Sequence, residues 1–306
     1  MDILHTFSIV ARDSLTGQLG VAVQTHWFAV GALCPWVEAG VGAVATQSMV
    51  EVSYGPKGLA LLRSGLHPRA ALDALLGQDE SRETRQVAFL NASGEVAVHT
   101  GSRCIAYAGH HIGSGYAVQA NMMVNDAVWP VMAAAYESSR GDLAVRMLTS
   151  LKAGQAAGGD VRGCQSACMR VADGISSDEP WKHMLVDIRV DDHPRPLDEL
   201  SRLLDIQQAY HLMNAGDDLI AQGKSREALE KYSQAAQLAS HIDEIPFWQA
   251  VTMADNGFLD DALPIFRKVF AINPGWAALV SRLPDAGLLK KDPGMMGKIL
   301  AMQKQK

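Results

Sequence analysis

The sequence predicts an α+β protein, a four-layer αββα sandwich followed by a small all-α domain. Three observations predict it. Across residues 1–190 strand-like and helix-like segments come in runs instead of strict βαβ alternation, which favours antiparallel sheets with helices on their outer faces. The strand segments are apolar at both parities, as sheets covered on both faces require. The β signal then stops at Asp191-Asp192-His193-Pro194-Arg195-Pro196, where two prolines and a charge cluster make a stiff linker.

Each element has a local reason. Residues 7–11 and 19–25 are β-rich and flank Asp13-Ser14-Leu15-Thr16-Gly17, turn chemistry that makes them a hairpin. Residues 41–47 form a small apolar strand entered through Gly40 and Gly42. Residues 55–63 and 68–76 read as helices, and Pro68 suits a first helical turn. Residues 86–90 and 95–100 alternate apolar and polar around Asn91-Ala92-Ser93-Gly94, a second hairpin. After a strand region at 107–121 come helical stretches at 126–139 and 142–157, then strands at 165–172 and 183–190. The domain plan is 1–193 for the sandwich, 194–208 for linker and helix, and 209–306 for the helical domain.

The tail repeats. Gly223 and Gly257, Ala228 and Ala262, Leu229 and Leu263, and Tyr232 and Phe266 are each 34 residues apart. That period is tetratricopeptide spacing, in which a small Ala lets two helices approach and an aromatic residue fills the groove between them. Pro274 closes the second unit, whereas Pro246 and Gln249 fit the pattern less well.

Composition excludes several classes. The 306 residues carry a formal net charge of −6, against a broad nucleic-acid footprint. No apolar run reaches the ~18–20 residues of a spanning helix, so no membrane partner is expected. The start MDILHTFSIV has no basic region of a signal peptide. The four cysteines, Cys34, Cys104, Cys164 and Cys168, form no CxxC pair. They fit a reducing compartment, and a cytoplasmic location is expected. His110-His111 lacks a carboxylate at ligand spacing, so neither metal nor cofactor is expected.

The chemistry of the first domain turns on Thr6, which opens the first strand. A nucleophile at that place attacks with its hydroxyl while its own free α-amine, pKa about 7.7–8.0, takes the proton. Thr6-Phe7-Ser8-Ile9-Val10-Ala11-Arg12-Asp13, Leu19-Gly20-Val21-Ala22-Val23-Gln24 and Trp27-Phe28-Ala29-Val30-Gly31 carry a resemblance. So do Gly40-Val41-Gly42-Ala43-Val44-Ala45-Thr46-Gln47-Ser48, Tyr54-Gly55-Pro56, Ala157-Gly158-Gly159-Asp160-Val161-Arg162-Gly163 and Val190-Asp191-Asp192-His193-Pro194. Over residues 6–194 the chain resembles the bacterial family called domain of unknown function 1028, assigned to the Ntn-hydrolase superfamily. The resemblance implies the Ntn-hydrolase-like αββα fold and hydrolysis of a small amide or peptide.

The order of elements also resembles proteasome-type subunits. That resemblance implies backbone oxyanion donors at Thr46-Gln47 and an aspartate near the nucleophile at Asp160. Those subunits carry an early lysine, but here the first is Lys57, with His26 and Arg12 the nearby basic substitutes. His26 is a site histidine or a strand-end surface one. Asn121 offers an amide donor to a cleft, and Asp160, Arg162 and Ser166 cluster at a glycine-rich turn. Arg162 either clamps a substrate carboxylate or braces that turn through Asp160. The leader Met1-Asp2-Ile3-Leu4-His5 keeps the nitrogen of Thr6 in a peptide, so the amine mechanism needs cleavage at His5–Thr6. The alternative is a non-catalytic binding or scaffold protein whose helical tail takes a protein or peptide partner. Exposed sheet edges and the repeat tail make a homodimer the expected assembly.

Overall fold

A computed structural model of the chain describes residues 3, 4 and 6–304. Met1, Asp2 and His5 of the leader, and with His5 the bond to Thr6, lie outside the described residues. The first half runs β1 (Ile3–Leu4), β2 (Thr6–Arg12), β3 (Leu19–Thr25), β4 (Pro35–Glu38), β5 (Gly42–Met49), α1 (Tyr54–Arg63) and α2 (Pro68–Leu76). It continues with β6 (Arg85–Asn91), β7 (Val96–Thr100), β8 (Gly109–Gly113), β9 (Tyr116–Ala120), α3 (Val128–Ser138), α4 (Leu143–Ala156), β10 (Ser166–Ala172) and β11 (Met184–Val190). Helices follow: α5 (Pro196–Ala221), α6 (Ser225–Leu238), α7 (Glu244–Asp255), α8 (Leu259–Ile272), α9 (Gly275–Val280) and α10 (Pro293–Ala301). Among the described residues the protein is therefore α+β, with two antiparallel sheets and ten α-helices.

Turn chemistry sets the hairpins. Asp13 Oδ1 accepts from the N–H groups of Leu15 and Thr16, each at 2.9 Å, and closes the β2–β3 reversal. Asn91 Oδ1 does the same for Ser93 and Glu95 between β6 and β7. The region 107–121 resolves into a third hairpin, β8–β9, turning at Gly115 with φ +73°. Two short strands carry no sequence signal of their own. β4 begins at Pro35, the position where a strand tolerates a residue without N–H. It shares one edge of β5 with β1, which pairs Ile3 with Met49 and Leu4 with Ser48.

One sheet has the order β1-β5-β6-β7 with β4 beside β5, and the other the order β11-β10-β3-β2-β9-β8. Strand parity sends alternate side chains to opposite faces. Val10, Val21 and Val23 of the larger sheet meet Ala45, Ala88 and Leu90 of the smaller one, so the sheets face each other. The outer face of the smaller sheet packs Val44, Val87 and Phe89 against α1 and α2. A Cβ on Gly58 of α1 would lie 2.5 Å from the Phe89 ring, so glycine is what lets the helix come this close. The other outer face packs Phe7, Ile9, Val118 and Met169 against Met132 of α3 and Met147 and Leu151 of α4. Each fully buried large side chain contributes about 1.5–3 kcal/mol.

The chain divides into two compact units between Leu204 and Asp205, inside α5. Leu197, Leu200 and Leu204, at helical spacing, complete the core of the first unit. In the second unit the 34-residue period has a physical counterpart. Gly223 and Gly257 end α5 and α7 at φ +76° and +93°. The next N–H reaches back in the same way in both, Lys224 to Leu219 O and Phe258 to Met253 O, each at 2.9 Å. Ala228 and Ala262 are buried, as are Tyr232 and Phe266. A Cβ on Gly216 would sit 2.5 Å from the Tyr232 ring, so α5 and α6 approach closely there.

Candidate functional site

Thr6 opens β2 on the parity of Ser8 and Val10, so its side chain enters the layer between the sheets. It is fully buried, and among the described residues its Oγ1 has no hydrogen-bond partner. Its carbonyl oxygen is held from three sides. Gln47 Nε2 donates to it at 2.9 Å, Asn121 Nδ2 at 3.4 Å and the Asn121 backbone N–H at 3.1 Å. The sequence-derived candidates Thr6, Gln47 and Asn121 are thus brought together.

These three sit in a buried cluster of neutral polar side chains. Ser8 Oγ donates to Gln47 Oε1 at 2.6 Å. Gln86 Oε1 accepts from Gln47 Nε2 at 2.7 Å and Asn121 Nδ2 at 2.9 Å. Gln86 Nε2 in turn donates to Thr100 Oγ1 at 2.9 Å and to the carbonyls of Ala120 and Gly109 at 3.0 and 3.1 Å. Thr100 Oγ1 also lies 2.9 Å from His110 Nδ1, so the network runs from Thr6 to a surface histidine. Gln119 Nε2 donates to Ser8 Oγ and Ala45 O. Burial, with the neighbouring Cys168, pushes the Cys34 thiol far above its usual range, so Cys34 stays a neutral thiol beside Gln47.

The other candidates occupy separate places. Thr46 points to the outer face of its sheet, its N–H on Cys34 O at 3.1 Å and its hydroxyl on Glu51 O at 3.2 Å. Asp160, with a fully buried side chain, receives the His26 N–H at 3.1 Å and pairs with Arg162 at 2.7 Å. His26 Nδ1 is buried and makes no hydrogen bond among the described residues. Ser166 donates to Trp27 O and accepts from the Val30 N–H, so it braces the turn after β3. Ser166 still belongs to the same end of the sheet, because it lies across β3 from Thr6 through Thr25.

Ser8, Gln86 and Gln119 were not singled out from sequence. The available signal was parity: Thr6 and Ser8 in β2, and Gln119 in β9 with Asn121 just past its end, are polar pairs at i and i+2 along apolar strands. That pattern marks a polar stripe on one face but does not say that stripes from different strands meet.

A family model, "Family of unknown function (DUF1028)", matches residues 6–200. The chain belongs to this family. Among solved structures, DUF1028 membership is shared by protein SPO2555 from Silicibacter pomeroyi, which is 31% identical to this chain. The match covers 65% of this chain and 84% of that one, with a TM-score of 0.59. No curated protein matches the chain. The Thr6 cluster lies within the DUF1028 segment, and the 34-residue repeat lies outside it. Among the described residues no helix is long and apolar enough to cross a membrane.

Proposed function

We propose that the first unit is an Ntn-hydrolase-like αββα sandwich acting as an amidohydrolase or peptidase on a small amide or peptide, with Thr6 as nucleophile. The observation that carries this reading is the buried, unpaired Thr6 hydroxyl at the head of β2, inside an amide-rich cluster between two sheets. Within the chain its nitrogen is a peptide nitrogen and no base. Hydrolysis of the His5–Thr6 bond leaves a carboxylate on His5 and an amine on Thr6. That amine takes the hydroxyl proton as Oγ1 attacks the substrate amide carbon. Gln47 and Asn121 fix the Thr6 carbonyl and so hold the head of β2, and the Thr6 hydroxyl with it, in one place. Exposed Phe28, Ile105, Tyr107, Val124 and Val161 lie on loops at this end and suit an apolar flank on the substrate.

Intact mass and turnover on a panel of chromogenic aminoacyl amides test this. A mature chain beginning at Thr6, with turnover lost in Thr6→Ala, is the expected result. A chain that keeps its leader under every condition and never hydrolyses an amide overturns it.

One observation favours a second, non-catalytic reading. Ile3 and Leu4 are paired to β5, so these two residues of the leader are part of a sheet. On that reading the sandwich is a scaffold and the helical unit is its working surface. The repeat positions of that unit support a tetratricopeptide-like hairpin array for an extended peptide.

A further inference from the structure

At the opposite end of β2 the turns of three hairpins, β2–β3, β6–β7 and β8–β9, converge on a cavity of about 210 Å³. Arg12 and Arg146 line it, with Ser14, Ser93 and Ser114 supplying three hydroxyls and Tyr136 a ring wall. Gly94 and Gly115 complete the lining at φ +88° and +73°, turn conformations a Cβ would strain. β2 spans seven residues, so this end is about 20 Å from Thr6.

Among the described residues Arg12 makes no ion pair, and Arg146 makes one loose pair, to Asp13. The Nε atoms of both are buried and make no hydrogen bond among the described residues. Arg146 stacks its guanidinium 4.3 Å above the Tyr136 ring, which fixes its plane. Its nearest carboxylate oxygen, Asp13 Oδ2, is 3.6 Å away, beyond hydrogen-bond range. The other oxygen of Asp13 is committed to its own turn. Among the described residues no acidic side chain lines the cavity. A buried donor left without an acceptor is costly, and the Nε atoms of Arg12 and Arg146 in one cavity point to an anion that takes both.

We infer that this cavity binds a small tetrahedral oxyanion, a phosphate or phosphomonoester. Guanidinium forks match phosphate oxygens in bidentate fashion. Hydroxyls from three separate turns surround the anion, which suits acceptor oxygens pointing in several directions better than one planar carboxylate. The volume is below the ~300–1,000 Å³ of drug-sized ligand pockets, so the ligand has few heavy atoms.

Titration calorimetry of the full chain with inorganic phosphate at low ionic strength tests the site, with acetate as comparator. The expected result is one saturable site per chain, weakened by salt. Arg12→Gln and Arg146→Gln should each bind phosphate about tenfold or more weaker, the loss of a charge-assisted hydrogen bond. Arg146→Lys keeps the charge but loses the fork and should also weaken binding, so the site stays testable if Arg146→Gln does not fold. Absence of saturable binding overturns the proposal, and so does phosphate affinity unchanged in Arg12→Gln and Arg146→Lys. Acetate binding as tightly as phosphate overturns the assignment of ligand class.

Discussion

Replacing Gln86 with Met tests whether the inter-sheet cluster is an integrated network. The two side chains have similar length and are both unbranched, and a volume-conserving swap by itself usually costs under about 1.5 kcal/mol. Gln86 is fully buried, and its amide makes five contacts of 2.7–3.1 Å. Its two N–H protons are shared among three acceptors, so about four full hydrogen bonds are at stake. At roughly 1 kcal/mol net each the ceiling is about 4 kcal/mol. Gln47 Nε2 and Asn121 Nδ2 keep their bonds to Thr6 O, and Thr100 keeps His110, so the loss is softened. Gln86→Met should therefore destabilise the first unit by about 2–4 kcal/mol. Two compact units make a single unfolding midpoint ambiguous, so native-state hydrogen exchange resolved by segment is the assay. Protection should fall across β5, β6 and β9 and stay unchanged in α6–α8. A loss under about 0.5 kcal/mol would refute the reasoning, because it would mean the bonds around Gln86 are energetically independent of the fold.

Three further outcomes are expected. Tyr232→Ala and Phe266→Ala should each cost the second unit about 3–5 kcal/mol, because they fill matching positions of the 34-residue repeat; exchange in α6–α8 measures it. Asp79→Asn should cost about 1–3 kcal/mol, since Arg85 lies 2.8 Å from the carboxylate and would lose a charged partner at a half-closed site; urea unfolding of the two proteins compares them. Burial works against the Asp79 charge, but Arg85 and the Ser81 N–H outweigh it and hold the carboxyl below its usual value, so its contribution is present above about pH 4 and lost as pH falls through the folded value. Desolvation, with the nearby His99, Arg69 and His111 charges, lowers the affinity of His110 for a proton. Its contribution to stability is therefore present above about pH 6.5 and lost as pH falls, and an NMR titration should find His110 below the free histidine value, with His110→Gln flattening the stability profile there.

Most of the element order was legible because its causes are local. Asp13 and Asn91 make their turns with atoms two to four residues away, so composition alone reveals them. The same holds for Gly223 and Gly257, whose left-handed backbone ends a helix wherever the partner helix goes. β4 was not legible, because four residues beginning with Pro35 acquire strand geometry only from pairing with β5. The pairing of Thr6 with Gln47 and Asn121 was partly legible. Each residue was a candidate, but their shared hydrogen bonds span 41 and 115 positions of sequence.

By itself the sequence determined the run of strands and helices, the hairpin turns, the repeat of the tail and membership of DUF1028 over residues 6–200. These follow from propensity, periodicity and short-range hydrogen bonding. Only the tertiary structure decided which polar stripes meet between the sheets, that Gln86 joins them, and that Arg12 and Arg146 share a cavity. The physical reason is the same in each case. A strand's side-chain period says which residues share a face, but the partner across a 10 Å layer is chosen by packing of the whole sheet.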